Sequence, residues 1–376
     1  MSIPVAVLDV GSFNTHFGYA NADRPAITTE SVVGSFEDRT YFGSSLYKGK
    51  QGFISDMVSN ETGMLDIDNF LLQVENLFET THLDTMDTVM LFSFPNPTDV
   101  SLFKQFSDNI GAAIQGLFER FDFPALYFMN QSVLSAFSAG KQSATVIDMG
   151  YSGVRFSPVK SGTCLHSSCT FTPVGGKYMN RVLHSLLVDD LNIDRPADAS
   201  SSYLSFSFDR YLDQIRKDNS SFLQYTAAKE DLLRTTSMKL PDGSDLLVPS
   251  YLVTESLFQP SILSDLELAT TIPSSFNDCY QQCITSVAPQ ARGQLMSDFV
   301  ICGGLSATKH AVKRVEKCVK EFGRSKIQYA STDERAVASW LGGAIVAGID
   351  VFKALWITKE EFSEVGSAIS LMRLQS

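Results

Sequence analysis

The chain has 376 residues, enough for two lobes that each bury a core, so a small disulfide-stapled scaffold is excluded. Its 42 acidic residues outnumber 30 basic ones, and the formal net charge of -12 sets it against the phosphates of nucleic acid and of an anionic membrane surface. Hydrophobic residues at 44% and charged residues at 19% describe a folded globular chain, not a disordered one.

The first element is Ile3–Ala20, a β-branched run ending at Asp9, a Gly11-Ser12 turn, and a return strand through Phe17 and Tyr19. A helix is predicted over Asn69–Thr80, capped by Asp68, then a strand Val89–Phe94 stopped by Pro95 and a long helix from Val100 to Phe121. A strand Ala125–Met129 and a helix Gln131–Ala139 complete an α/β lobe. Ala144–Val159 then repeats the opening pattern, with Asp148, Gly150 and a return strand. A repeat this far apart predicts two duplicated lobes, not a short-period solenoid.

The second lobe continues through a helix Gly176–Leu187, a polar surface loop Asp194–Ser202 and helices within Tyr203–Ala228. Leu240-Pro-Asp-Gly243 reads as a turn between strands. A strand Phe299–Cys302 leads into Gly303-Gly304 and a helix Lys309–Phe322. Ala336–Ile349 is too short to span a bilayer, which needs about 18 apolar residues, and is predicted as a buried helix followed by a helical Phe352–Trp356. Met1–Phe13 has no basic stretch or cleavage site, so the chain is expected to be intracellular, with its six cysteines as reduced core thiols.

An aspartate at a strand's end followed by a Gly turn can do two jobs. Backbone N–H groups of the turn cradle phosphates, and the carboxylate holds a hydrated cation against them. One Asp-x-Gly is usually only a turn, but two copies, at Asp9 and Asp148, can clamp a nucleotide from both lobes. Gly303-Gly304 either admits a purine or ribose close to the backbone or simply makes a tight strand-to-helix turn. Gln131 opens a helix between the lobes, where an amide can orient a water but cannot take its proton.

These residues resemble the actins and actin-related proteins of the sugar-kinase and heat-shock-chaperone ATPase superfamily. The resemblance is carried in order by Asp9-Val-Gly11-Ser12, Phe121-Asp-Phe-Pro124, Gln131-Ser-Val-Leu, Asp148-Met-Gly150, Leu240-Pro-Asp-Gly243, Leu257-Phe-Gln-Pro260, Gly303-Gly304, Trp340-Leu-Gly342-Gly343 and Leu355-Trp-Ile-Thr-Lys359. It implies an α/β actin-like ATPase fold, two duplicated α/β lobes around a nucleotide cleft, each with an insertion subdomain. The outer lobe is residues 1–139 with an insertion about 32–64, completed by 332–376; the inner lobe is 140–331 with an insertion about 176–262. The implied ligand is ATP or ADP with Mg2+, held by Asp9, Gly11, Ser12, Phe13, Asp148, Gly150, Gly303 and Gly304. Asp9 and Asp148 are the metal ligands and Gln131 a leftover water-positioning residue.

Departures from the family pattern bear on activity. His16 stands where the family's first loop has a phosphate-reaching lysine, and Phe13 replaces a glycine. Tyr151 and Arg155 replace the aspartate and histidine that help polarise the attacking water; a tyrosine with pKa near 10 and a permanent cation are poor bases. Thr308 takes the place of a purine-stacking tyrosine. Only Ser35-Phe-Glu-Asp-Arg-Thr40 occupies the place of the loop that docks into the next filament subunit. The resemblance therefore implies a non-filamentous actin-related protein, not an enzyme, with ATP hydrolysis slow or lost. Such a protein is a structural subunit of a larger assembly, here expected to be a nuclear chromatin-remodelling or histone-modifying complex. Its partners are actin or another actin-related protein and a helical segment of a larger subunit, with no direct nucleic acid and no membrane. The alternatives are a cytoplasmic member of a cytoskeletal complex, of the dynein-activator pointed-end or other capping type, and a divergent ATP-hydrolysing filament protein. Ile349, Phe352 and Leu355 recur at helical spacing, either as the wall of a partner groove or as core.

Overall fold

The computed structural model describes residues 3–187, 199–226, 228–265, 272–322, 326–329, 332–366 and 369. Two sheets organise it, each built around one of the Asp-bearing hairpins. The first runs, in spatial order, Ile357–Thr358, Ala125–Asn130, Val89–Phe94, Val5–Val10, Asn14–Tyr19 and Ile27–Glu30. The second runs Thr163–Cys164, Val154–Lys160, Ala144–Met149, Asp298–Cys302 and Lys326–Gln328. Val5–Val10 and Ala144–Met149 sit centrally in their sheets, with helices on both faces, which is why they read as continuous apolar runs. Each sheet has its own core, Phe70, Phe92 and Ile110 in the first lobe, Phe156, Leu183 and Phe299 in the second.

The lobes meet at two packed helices, Gln131–Ser138 and Ala338–Ala347. A Cβ on Gly342 would lie 1.9 Å from the Leu134 carbonyl oxygen, so only glycine allows this approach. The glycine pair here is a close-packing device, not a helix breaker. Trp340 is fully buried and its indole N–H donates to the Val7 carbonyl at 3.1 Å, tying the helix to the first sheet. Its outer side is not buried as expected: Ile345 is 47% exposed and Ile349, just past its end, 42%.

Several boundaries differ from those predicted. The first long helix spans Ile67–Thr81, because Asp66, not Asp68, caps it by accepting from the Asn69 N–H at 3.0 Å. Val100–Leu102 forms a 3-10 turn capped by Asp99, and the α-helix proper is Phe103–Arg120. Most of the expected Asp194–Ser202 loop lies outside the described residues, but Ser200 is already the N-cap of a helix Ser201–Asn219. That helix ends well before Ala228. Gly303 is followed by a 3-10 turn, Gly304–Ala307, and the next α-helix is Ala311–Glu321. Asp350–Leu355 is 3-10 helix.

The short segment about residue 37 is a two-residue hairpin. Val32–Phe36 pairs with Arg39–Tyr41 with Phe36 opposite Arg39, and Phe53–Asp56 completes a three-stranded sheet. This sheet touches the helix Ser201–Asn219 of the other lobe. Ser200 N–H donates to the Lys50 carbonyl at 2.8 Å, Ile54 N–H donates to Ser202 Oγ at 3.0 Å, and Tyr47 lies against Phe206. Among the described residues no helix is long and apolar enough to cross a membrane.

Candidate functional site

Both hairpins place an aspartate in register with a basic residue on the returning strand, Asp9 with His16 and Asp148 with Arg155. In the first, Gly11 N–H donates to the Asn14 carbonyl at 3.0 Å, and a Cβ on Gly11 would stand 2.8 Å from that oxygen. Asp9 is buried and held by Ser93 Oγ and by Gln131 Nε2, which donates to Oδ1 at 2.8 Å and to the Val10 carbonyl at 2.9 Å. Gln131 thus commits its amide N–H2 to fixing Asp9. His16 is buried with Nδ1 3.0 Å from Thr28 Oγ1; burial lowers its pKa, against the pull of Asp9, so the ring is neutral at pH 7. It does not supply the charge of a lysine.

In the second hairpin, Gly150 N–H donates to the Gly153 carbonyl at 2.9 Å. Burial pushes the Asp148 carboxyl above the usual range; Arg155 draws it down and Asp9 pushes it up again. Both acids line the same cleft. Arg155 is buried over the Phe171 ring, donates from Nε to the Asn96 carbonyl at 3.2 Å, and donates from Nη1 to Ser152 Oγ at 3.3 Å. Because Asn96 belongs to the first lobe, Arg155 stitches the lobes together. Tyr151 donates its hydroxyl to Asp209, and burial together with that carboxylate raises its pKa, so it stays protonated. Neither residue offers a base to the cleft.

The third loop separates two roles that the Gly-Gly pair left open. Gly303 has φ +86, and a Cβ on it would lie 2.4 Å from Asp148 Oδ1 and 2.5 Å from the Met149 carbonyl oxygen. Its glycine is required by strand packing, since Cys302 pairs with Asp148. Gly304 has nothing within 4 Å of its missing Cβ and is open. Together these loops enclose a cleft of about 340 Å3, lined among others by Asp9, Ser12, Asp148, Gly304, Thr308 and Lys217.

The Phe13 ring lies 4.7 Å from Tyr151, with the Arg210 guanidinium 4.0 Å and the Lys217 ammonium 4.6 Å from its centre. Ser152 N–H also reaches Ser12 Oγ at 3.3 Å. Residue 13 therefore meets the opposite lobe with its side chain. Sequence reasoning missed the helix Ser201–Asn219 as a cleft wall, where buried Asp213 pairs with Arg216 and with Lys217 at 2.7 Å. The signal was the i, i+3, i+4 charge spacing of Asp213, Arg216 and Lys217, two of them on a buried face.

Two carboxylates on facing turns suit Mg2+, which is bound by one or two acids and completes its shell with water and phosphate oxygens. The push of Asp9 on the Asp148 carboxyl is the kind of repulsion that such a cation relieves. Among the described residues no group of three or more His, Cys, Asp or Glu side chains forms a self-sufficient metal site.

A second cavity, a groove of about 620 Å3, lies away from the cleft. Its lining includes Ile345, Ile349, Val351, Phe352 and Leu355, together with Cys164 and His166. Val351 is 72% exposed. The C-terminal apolar residues thus line a groove, while Phe352 also meets Phe137 at the groove's inner side.

A family model for actin matches residues 1–374. The chain is 24% identical to "Actin-related protein 4" of Schizosaccharomyces pombe, covering 97% of this chain and 95% of that protein. It is 27% identical to "Centractin" of Saccharomyces cerevisiae, over 95% and 94% of the two chains. It is 23% identical to the "SWI/SNF and RSC complexes subunit arp42" of S. pombe, over 97% and 96%.

Proposed function

As the chain belongs to the actin family, we propose that it serves as a non-filamentous structural subunit of a nuclear chromatin-remodelling or histone-modifying complex. The observation that carries this reading is the largely apolar groove of about 620 Å3 beside Ile345–Leu355, the kind of surface on which an amphipathic helix lays its apolar face. The two-residue turn at Glu37-Asp38 supports it from the other side, because a filament contact needs a longer projecting loop. Names support the complex: one relative is a subunit of SWI/SNF and RSC, and another is actin-related protein 4. In this reading the cleft holds ATP or ADP with Mg2+ between Asp9 and Asp148. Hydrolysis is slow, because Tyr151 and Arg155 are spent on protein contacts.

The experiment is purification of the tagged endogenous chain with crosslinking. Crosslinks from residues 345–355 to a helical segment of a larger nuclear subunit are expected, and Val351→Asp should release that subunit without unfolding a protein in which Val351 is largely exposed. Unchanged co-purification in Val351→Asp and Ile349→Asp, or assembly of the pure chain into filaments, overturns the reading. The centractin likeness supports a second reading, a subunit of a cytoplasmic cytoskeletal complex, and cytoskeletal partners in the same purification would select it.

A further inference from the structure

Beneath the groove lies a polar cluster that the cleft does not use. Asn96 is buried at its centre. Its Nδ2 is 3.0 Å from Ser157 Oγ, 3.5 Å from Cys164 Sγ and 3.6 Å from Cys169 Sγ. Its Oδ1 accepts from Asn130 Nδ2 at 2.6 Å and lies 3.0 Å from His166 Nδ1. The two sulfurs are 3.6 Å apart. A disulfide brings sulfurs to about 2.05 Å, so the approach left is small and within reach of side-chain rotation across a loop with only Leu165 to Ser168 between the two cysteines.

We propose that Cys164 and Cys169, whose sulfurs lie 3.6 Å apart, form a dithiol site that hydrogen peroxide oxidises to a disulfide. Cys164 is the more buried, and its bond to Cys169 together with burial holds its thiol protonated. Cys169, half-buried, is the first nucleophile. Its thiolate attacks one peroxide oxygen, the O–O bond breaks, and hydroxide leaves and takes up a proton to become water; the product is a sulfenic acid at Cys169. Cys164 sulfur then attacks the Cys169 sulfur, the S–O bond breaks, and the departing hydroxide takes the Cys164 proton as a second water. Two thiols and one peroxide become one disulfide and two waters. The same pair, reduced, suits a trivalent arsenical, which takes two sulfurs at about this separation.

Disulfide formation draws both sulfurs off Asn96, whose carbonyl accepts from Arg155 Nε and whose side chain contacts His166. His166 lines the groove and packs 4.7 Å from the Phe103 ring. The site therefore couples oxidation to the groove and to the residue facing Asp148.

The test uses the purified full chain. Both cysteines fall within one tryptic peptide, Ser161–Lys177. Low peroxide followed by alkylation and digestion without reductant should give that peptide two hydrogens lighter and unalkylated, while the peptides of Cys279, Cys283, Cys302 and Cys318 stay alkylated. In a parallel arm, phenylarsine oxide should bind the reduced chain at one equivalent by intact mass, and both Cys169→Ser and Cys164→Ser should abolish that adduct. Prior oxidation of other cysteines, an oxygen-bearing peptide without loss of two hydrogens, or arsenical binding that survives in Cys169→Ser overturns the proposal. None of these results depends on which complex the protein joins.

Discussion

Replacing Phe13 with glycine removes the ring that ties the turn of the first hairpin to the opposite lobe. The Tyr151 ring lies 4.7 Å away, and such a pair contributes about 1 kcal/mol beyond burial. The Arg210 and Lys217 cations, at 4.0 and 4.6 Å from the ring centre, add about 0.5 kcal/mol each at partly exposed sites. The clamp therefore favours the closed cleft by about 2 kcal/mol, or about thirtyfold in the open–closed equilibrium. Arg210 keeps its bond to Asp209 at 3.0 Å and its place over Phe206, so the helix that carries it survives the change. If release requires opening, a fluorescent ATP analogue loaded with Mg2+ and chased with unlabelled ATP should leave about thirtyfold faster from Phe13→Gly, with Phe13→Tyr close to wild type. Amide exchange at Tyr151–Gly153 should also rise in the variant, a readout that needs no nucleotide. Release and exchange both equal to wild type refute the clamp.

MgATP should raise the wild-type melting temperature in scanning fluorimetry, and Asp9→Asn and Asp148→Asn should each abolish that rise. The Asp148 carboxyl is raised in the fold, so its contribution to stability is complete below its unfolded pKa and is lost as pH rises through the folded one; Mg2+ needs the ionised form, so the MgATP-induced shift should grow over the same rise. ATP turnover in a phosphate-release assay should fall far below that of conventional actin, at roughly a hundredfold for each lost polar contact, and actin-like turnover refutes this. Gly303→Ala should cost about 3 kcal/mol in urea unfolding, from a positive φ and a contact of 2.4 Å with Asp148, whereas Gly304→Ala should leave stability unchanged and weaken nucleotide binding. Equal stability of the two variants contradicts the division of roles drawn between them.

The hairpins were legible because each is a local object: an apolar strand, an acid, a glycine turn and a return strand, all within about twenty residues. The pairing of Asp9 with His16 and of Asp148 with Arg155 follows from that local register. What spacing cannot carry is what a side chain meets from elsewhere in the chain. Tyr151 turns to Asp209, Gln131 to Asp9, and Arg155 to the Asn96 carbonyl, contacts that span 58, 122 and 59 residues of chain. Helix ends slipped for a related reason. Asp66 and Asp68 are equally good caps by type, and only the backbone conformation at Asp66 decides between them. Whether Ile349 and Phe352 were groove or core also depended on what else the fold brings to them, here Phe103 and Cys164, which line the same groove.

Seen singly, Phe13, Tyr151 and Arg155 look like the loss of a hydrolytic site. Their contacts have a common direction. Phe13 reaches from the first lobe to Tyr151, Arg210 and Lys217 of the second, Arg155 reaches back to Asn96 of the first, and Ser12 accepts from Ser152 between them. At the outer rim, Ser200 and Ser202 bond to the main chain at Lys50, Gly52 and Ile54. In a cleft closed mainly by phosphate, losing nucleotide frees the lobes to part. Here side chains hold part of that closure energy, so the relative placement of the lobes, and with it the shape of the groove at their base, depends less on what the cleft contains. A subunit whose task is to present one fixed surface gains from that exchange, and a filament protein that times its disassembly by hydrolysis does not.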